Sequence, residues 1–253
     1  MITVSIVSHR QSALVEQLLA DLIRFNISMV TEVLVTLNIP EDISFMPSDY
    51  PYPVRILRNT EAKGFGANHN AAFRQAEGEW FCVMNPDIRL IDNPFPILIE
   101  DGAHDSAGVI APMVVTPGGM IEDSVRRFPV TASLAAKLFG HGDGRYLFSA
   151  GDETFAADWV AGMFMLFRTR DFRASGGFDE GFFLYYEDVD ICARLWKSGR
   201  SVLACPKARV IHDARRSSRR NLRYMKWHAL SLTRYFWKHW GCLPRALPRK
   251  QME

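Results

Sequence analysis

Four cysteines in 253 residues, Cys82, Cys192, Cys205 and Cys242, stand far apart with no Cys-x-x-Cys pair. That spacing argues against a disulfide scaffold or a zinc ribbon, and small thiols within apolar runs imply burial in a reducing, cytoplasmic compartment. Long apolar runs are missing as well. The longest charge-free stretch, residues 106–121, is interrupted by Pro112, Pro117, Gly118 and Gly119, so it cannot form one spanning helix of about 20 residues. The apolar opening, residues 2–7, is too short for a signal h-region and has no basic n-region before it, so secretion is not expected. Solenoid-period repeats and low-complexity segments are absent too. What remains is ordinary globular composition, 48% apolar and 23% charged, in a chain long enough to bury a substantial core.

One further scarcity is local. Residues 215–253 contain 11 of the 30 Lys and Arg but a single acid, Glu253, although the net charge of the whole chain is only +2. The first 214 residues are therefore about −8 and the extension about +10, which points to an anionic partner for the extension. Within it Leu222, Met225, Ala229, Leu232 and Phe236 recur at helical spacing, with Arg223, Lys226, Arg234 and Lys238 off that stripe. Either the stripe simply packs on the body or the helix serves a membrane surface, and both hold if it docks by the apolar stripe and shows its basic face to lipid. Tyr224, Trp227, Tyr235, Trp237 and Trp240 add rings of the kind favoured at headgroup level, and the expected partner is an anionic membrane surface.

The first half alternates strand and helix signals. Residues 3–7 read as a strand, Leu14, Leu18, Leu22 and Phe25 as a helical stripe, and residues 31–35 as a second strand, giving a βαβ opening. A Pro-rich connector leads to a short strand at 54–57 and a helix near 67–75, which Gly78 ends. Residues 79–84 are almost continuously apolar, as in a strand buried on both faces of a parallel sheet. Beyond it come strands at 109–115 and 159–167, a helix from about Glu187 to Gly199, and short closing strands at 201–204 and 210–212; residues 116–158 carry only weak periodicity. No disordered linker divides the halves, so a single compact α/β domain is expected.

Three groups of residues suit chemistry. Asp87, in Asn85-Pro86-Asp87, follows the buried strand at its carboxyl end, where open α/β sheets bind ligands, and a carboxylate there could hold a divalent cation. Asn-Pro-Asp is also an ordinary turn sequence. Residues 62–66, Ala-Lys-Gly-Phe-Gly, precede a helix and could offer backbone N–H groups to phosphate, or simply make a tight helix entry. Glu187, Asp188 and Asp190 open a helix, where the dipole favours acids, but they follow the aromatic run at 182–186, and an aromatic wall beside a carboxylate suits sugar binding with proton abstraction. His212 could complete a metal site or serve structure alone.

Taken together and in this order, the stretches Thr-Val-Ser-Ile-Val-Ser-His at 3–9, Lys-Gly-Phe-Gly at 63–66 with Asn70, Met-Asn-Pro-Asp at 84–87, Trp-Val-Ala-Gly at 159–162 and Gly-Gly-Phe-Asp-Glu at 176–180 through Asp190 resemble the inverting nucleotide-sugar glycosyltransferases of family two. The spacing is most similar to the bacterial rhamnosyltransferase-like branch. The resemblance implies a GT-A fold, a mixed and mostly parallel sheet flanked by helices, with a donor half at about 1–90, an acceptor half at about 91–214 and the basic extension at 215–253. It implies a Mg or Mn ion held by Asp87 and His212, with Asn85 in place of the first acid of the family's metal motif. Ser8, His9, Asn38, Lys63, Gly64, Asn70, Asn85 and Asp87 would bind the nucleotide-sugar donor. Trp159, Gly162, Phe178, Asp179 and Tyr186 would line the acceptor side, where a glycan or polyprenyl-diphosphate-linked acceptor presents a hydroxyl to Asp188, the base, beside Glu187.

Two departures leave the nucleotide base open. Leu37 stands before Asn38 where relatives often carry an Asp, and Ala62 replaces a common Asn. A non-catalytic binder of the same fold is the competing class, and the paired acids argue against it. Nucleic-acid binding through the extension ranks lowest, because the acidic body would repel a polyanion.

Overall fold

The computed structural model describes residues 1–25, 27–104, 106–130, 144–213 and 222–244. Its strands are β1 (Ile2–Ser8), β2 (Val30–Leu37), β3 (Val54–Arg58), β4 (Trp80–Met84), β5 (Ile88–Leu90), β6 (Ala107–Val115), β7 (Val125–Arg126), β8 (Phe155–Ala156), β9 (Trp159–Val160), β10 (Phe164–Arg168) and β11 (Ser201–His212). The helices are α1 (Ser12–Arg24), α2 (Phe65–Phe73), α3 (Phe95–Asp101), α4 (Thr169–Ala174), α5 (Glu187–Lys197) and α6 (Leu222–His239).

Among the described residues nine strands form one sheet in the order β3-β2-β1-β4-β10-β6-β11-β5, with β8 on β11. Strands β3, β2, β1 and β4 are mutually parallel, β10 runs against both β4 and β6, β11 is parallel to β6, and β5 and β8 oppose β11. The sheet is thus mixed and mostly parallel in strand direction.

β4 shows why its sequence reads as one apolar run. Cys82 and Met84 enter a core under α1 and α3 with Val15, Leu18, Phe95 and Leu98, whereas Phe81 and Val83 enter a second core with Phe172, Phe178, Val189 and Leu195. Successive side chains of a strand point to opposite faces, so a strand covered on both sides must be apolar throughout. α1 buries the expected stripe of Leu14, Leu18 and Leu22.

Several sequence expectations change. The strand expected at 159–167 is two, β9 and β10, separated by a turn at Ala161-Gly162-Met163. The two closing strands are one, β11, whose register shifts between Cys205 and Arg209 and so absorbs Pro206 and Lys207. Of the stretch without assigned structure, β7 pairs with β9 and β8 with β11, while residues 131–143 lie outside the described residues.

α6 reverses the expected packing. Leu222, Met225 and Ala229 of the expected stripe are exposed and Leu232 and Phe236 half-buried, while Ser231, Tyr235 and His239 are the buried positions. Polar bonds decide this rotation. Ser231 Oγ donates to Leu184 O at 2.8 Å, Arg234 and Lys238 donate to Asp179 at 2.9 and 2.7 Å, and His239 Nε2 lies 2.8 Å from Asp190 Oδ1. Arg215, Arg216, Arg219 and Arg220 lie outside the described residues.

Candidate active site

The carboxyl ends of β1, β2 and β4, the start of the antiparallel β10 and the end of β11 meet at one edge of the sheet. Ser8, Asn38, Asn85, Gly162 and His212 all sit there because each ends or precedes one of these strands. Asn38 is a hub: its Oδ1 accepts Lys63 N–H at 2.8 Å and Asn59 Nδ2 at 3.1 Å, and its Nδ2 donates to Lys63 O at 3.0 Å. The exposed His9 Nδ1 lies 3.5 Å from the same amide, and Ser8 Oγ accepts from Gln11 N–H. Ser8, His9 and Asn38 thus share one end of the sheet with the backbone of Lys63, an exposed residue.

Gly64 has a different reason than phosphate approach. A Cβ there would come within 2.6 Å of Phe183 O, and Phe65 N–H donates to that carbonyl at 2.9 Å. The glycine lets the helix entry seat the aromatic loop. Asn70 is likewise spent inside the protein, since its Oδ1 accepts Phe178 N–H while its Nδ2 donates to Phe178 O and Glu180. It clasps the loop and does not face a donor. Phe178, 2% exposed among Phe65, Phe167 and Phe172, is core and not an acceptor platform. Asp179 bonds Arg234 and Lys238, so its role is to tether α6. Trp159 is half-buried with Nε1 on Arg127 O, and Tyr186 is half-buried against His228 and Tyr235.

The loop so clasped ends in Tyr185 and Tyr186 with φ of 71° and 68°. Two consecutive bulky residues in the left-handed region cost about 1–3 kcal/mol each, and such strain persists where surrounding contacts over-determine it. Immediately after them α5 begins with Glu187 and Asp188. Asp188 Oδ2 accepts Gly162 N–H at 3.0 Å and its Oδ1 accepts Val189 N–H at 2.8 Å, leaving a lone pair on each oxygen. Desolvation nevertheless raises the Asp188 pKa, the backbone donors only partly offsetting it. Burial and the Asp188 charge push Glu187 well above the carboxylate range, and its buried Oε2 has no hydrogen-bond partner among the described residues.

The turn between β9 and β10 links this acid pair to the second one. Gly162 binds Asp188, and the next residue, Met163, accepts Asn85 N–H on its carbonyl at 2.9 Å. Asn85 opens the turn into β5, which pairs with the end of β11, so Asp87 comes beside His212. Asp87 Oδ2 lies 3.3 Å from His212 Nε2, and His212 Nδ1 lies 2.9 Å from Glu122 Oε2. Burial lowers the His212 pKa, but hydrogen bonds and charge from Asp87 and Glu122 outweigh it and leave it raised. Glu122 was not legible in the sequence: it sits 90 residues from its partner in a stretch without periodicity.

These residues fit a divalent cation at one atom. Asp87 Oδ1 is buried and has no partner among the described residues, an oxygen donor of the hardness Mg or Mn takes, and phosphate and water oxygens commonly supply the rest of such a shell. His212 Nε2 lies against Asp87 Oδ2, so the two expected ligands stand side by side, with Glu122 on the other ring nitrogen of His212. Among the described residues no group of three or more His, Cys, Asp and Glu forms a protein-only metal cage.

Residues 6–169 match the model of glycosyl transferase family 2. The chain is 29% identical over 183 residues to rhamnosyltransferase WbbL of Escherichia coli, covering 68% of this chain and 69% of the relative. It is 28% identical over 191 residues to the N-acetylglucosaminyl-diphospho-decaprenol L-rhamnosyltransferase of Mycobacterium tuberculosis, covering 67% of this chain and 62% of that protein. The fold is similar to that of mannosyltransferase PcManGT from Pyrobaculum calidifontis, solved with GDP-Man and Mn2+, at a TM-score of 0.66 and 16% identity over 96% of this chain and 65% of the other. With the family matched over most of the chain and the GT-A-like architecture beneath it, the chain belongs to glycosyl transferase family 2.

Proposed function

We propose that this glycosyltransferase moves rhamnose or a related hexose, with inversion, from a nucleotide-sugar donor to a hydroxyl of a glycan or polyprenyl-diphosphate-linked acceptor in bacterial surface polysaccharide synthesis. The observation that carries this reading is the turn at Gly162-Met163, which binds Asp188 with one residue and Asn85 with the next. On this reading one short segment ties the base for the nucleophile to the strand end where the leaving diphosphate would bind. Both rhamnosyltransferase relatives support the sugar, and the decaprenol-linked enzyme supports the acceptor class.

Asp188 takes the proton from the acceptor hydroxyl as its oxygen attacks the anomeric carbon from the face opposite the diphosphate. General-base help of this kind is worth about 10²–10⁴-fold. Asp87 would hold the divalent cation through Oδ1, and the ion when bound supplies charge to offset that developing on the departing diphosphate. His212 keeps Asp87 oriented through Oδ2 and is itself fixed by Glu122. Ser8, His9, Asn38 and Lys63 form the donor end, Trp159 and Tyr186 the acceptor wall, in our division into a donor half at 1–90, an acceptor half at 91–214 and an extension at 215–253. The extension would keep the enzyme peripherally on the cytoplasmic face of an anionic membrane, next to a lipid-linked acceptor. No helix among the described residues is long and apolar enough to cross a membrane.

The test is transfer to a short-chain polyprenyl-diphosphate sugar from dTDP-, UDP- and GDP-linked donors, with the anomeric configuration of the product read by NMR. Rhamnosyl transfer with inversion supports the reading. Retention of configuration, or transfer from no donor in the presence of Mg or Mn, overturns it.

A further inference from the structure

A helix on the surface of a globular protein normally turns its apolar side inward. α6 does the opposite. Its inner face is polar and aromatic: Ser231, Arg234, Lys238 and His239 bond Leu184 O, Asp179 and Asp190, with Tyr235 buried between them. Its outer face carries Leu222, Met225, Leu230 and Trp237 at 80, 60, 58 and 82% exposure, and Trp240, one residue past its end, is 70% exposed. At 100° per residue the four helical residues fall on one side, across from Ser231. Large apolar side chains exposed along one face call for an occupant.

From this inversion we infer that α6 is an interfacial helix whose outer face sinks into the surface of an anionic lipid bilayer, with Trp237 and Trp240 at headgroup depth. The charge selects the bilayer as occupant. Arg223 stands at the border of the apolar face and Lys226 within it, both exposed, the helix has no acid of its own, and residues 215–252 contain 11 Lys and Arg and no Asp or Glu. Long basic side chains that can lift their charge to the headgroups, together with apolar residues and Trp, match the chemistry of an anionic interface. A second copy of the same cationic helix would bring like charges together.

Insertion differs from simple electrostatic docking, because apolar contact survives salt and Coulomb attraction does not. It also places the active site. α6 is bonded to Leu184, Asp179 and Asp190, residues on either side of Glu187 and Asp188, so the bilayer and the catalytic loop lie against opposite faces of one helix. The inference deepens the lipid-linked-acceptor reading and rests on it only for its biological sense.

The experiment uses the full chain and vesicles of phosphatidylcholine with or without phosphatidylglycerol, free of acceptor and sugar nucleotide. Expected are binding to the phosphatidylglycerol vesicles, a residue of that binding at high salt, and quenching of Trp fluorescence by brominated lipid. The double variant Trp237→Ser/Trp240→Ser should bind at least about tenfold more weakly with its Tm unchanged, since each ring removes a large apolar surface from the interface. Binding that the variant leaves intact and high salt abolishes would overturn insertion. So would no vesicle binding together with a concentration-dependent dimer that the variant dissolves, which would assign the face to a second copy. Transfer to a detergent-dispersed acceptor without vesicle binding breaks this inference alone, whereas vesicle binding without transfer breaks the proposed function alone.

Discussion

Asp188 and Asp190 lie two residues apart on the first turn of α5 and finish in opposite electrostatic states. Asp190 is fully buried and meets Arg194, Lys238 and His239, which outweigh its desolvation and hold its carboxyl far below the usual range. Asp188 is more accessible but meets only backbone N–H groups and an acid neighbour, and its pKa is raised. One face of the turn is a finished ion cluster that fixes the helix to α6. The other is left short of positive charge, the condition in which a carboxylate is a competent base.

Breaking the finished side should have the largest effect on the fold. Asp190→Ala leaves the half-buried Arg194 without its carboxylate, His239 Nε2 without its hydrogen-bond partner and Lys238 with Asp179 alone, and loss of one partner of a buried pair costs about 3–5 kcal/mol, visible as a large drop in Tm. The sign with pH follows from the lowered pKa. The contribution of Asp190 is fully present above its unfolded value near 4 and is lost as pH falls toward the folded one, so wild type and variant should converge in stability under acid. A difference in Tm that persists unchanged into strong acid would contradict the assignment.

Breaking the unfinished side should leave the fold and alter ligands. Asp87→Ala is expected to weaken nucleotide diphosphate binding in Mg or Mn by at least the ~10–100-fold that losing even an outer partner of a metal costs, with little change in metal-free binding. Calorimetry in both conditions separates a ligand from a turn residue, for which the two losses would be equal.

The smallest effect sharpens the contrast within the acid pair. Burial and the Asp188 charge together raise Glu187, so Glu187→Gln should remove the cost of that buried carboxyl and slightly raise Tm at neutral pH, the gain fading as pH falls below the ordinary Glu value of about 4. A gain that persists unchanged into strong acid would show that the Glu187 carboxyl is not the source of the cost.

The same contrast explains what could be read without coordinates. The parallel strands, α1 and α5 announce themselves because burial on one or two faces writes a period into the sequence; Asp87 and Asp188 follow from standing at the ends of such elements, whereas Asn38 follows from the family resemblance alone. Asn70, Phe178 and Asp179 were read as ligand contacts because their motif is shared with an active-site loop. In three dimensions their atoms are saturated by the chain itself, through Phe178, the Phe cluster and α6. Glu122 and the inward polar face of α6 depend on partners 90 and 47 to 59 residues away, for which no local pattern exists. An apolar stripe also means core in one solvent and surface in another, so the spacing alone does not orient α6.

The most direct measurement is single-turnover transfer by Asp188→Asn, with donor binding and Tm recorded on the same sample. The amide keeps the shape and an acceptor for one of the two N–H groups, Gly162 or Val189, but cannot take a proton. The account predicts at most a small loss in Tm, donor affinity near wild type and a rate lowered by about 10²–10⁴-fold. A variant that transfers sugar at close to the wild-type rate would contradict it, because the base would then lie elsewhere.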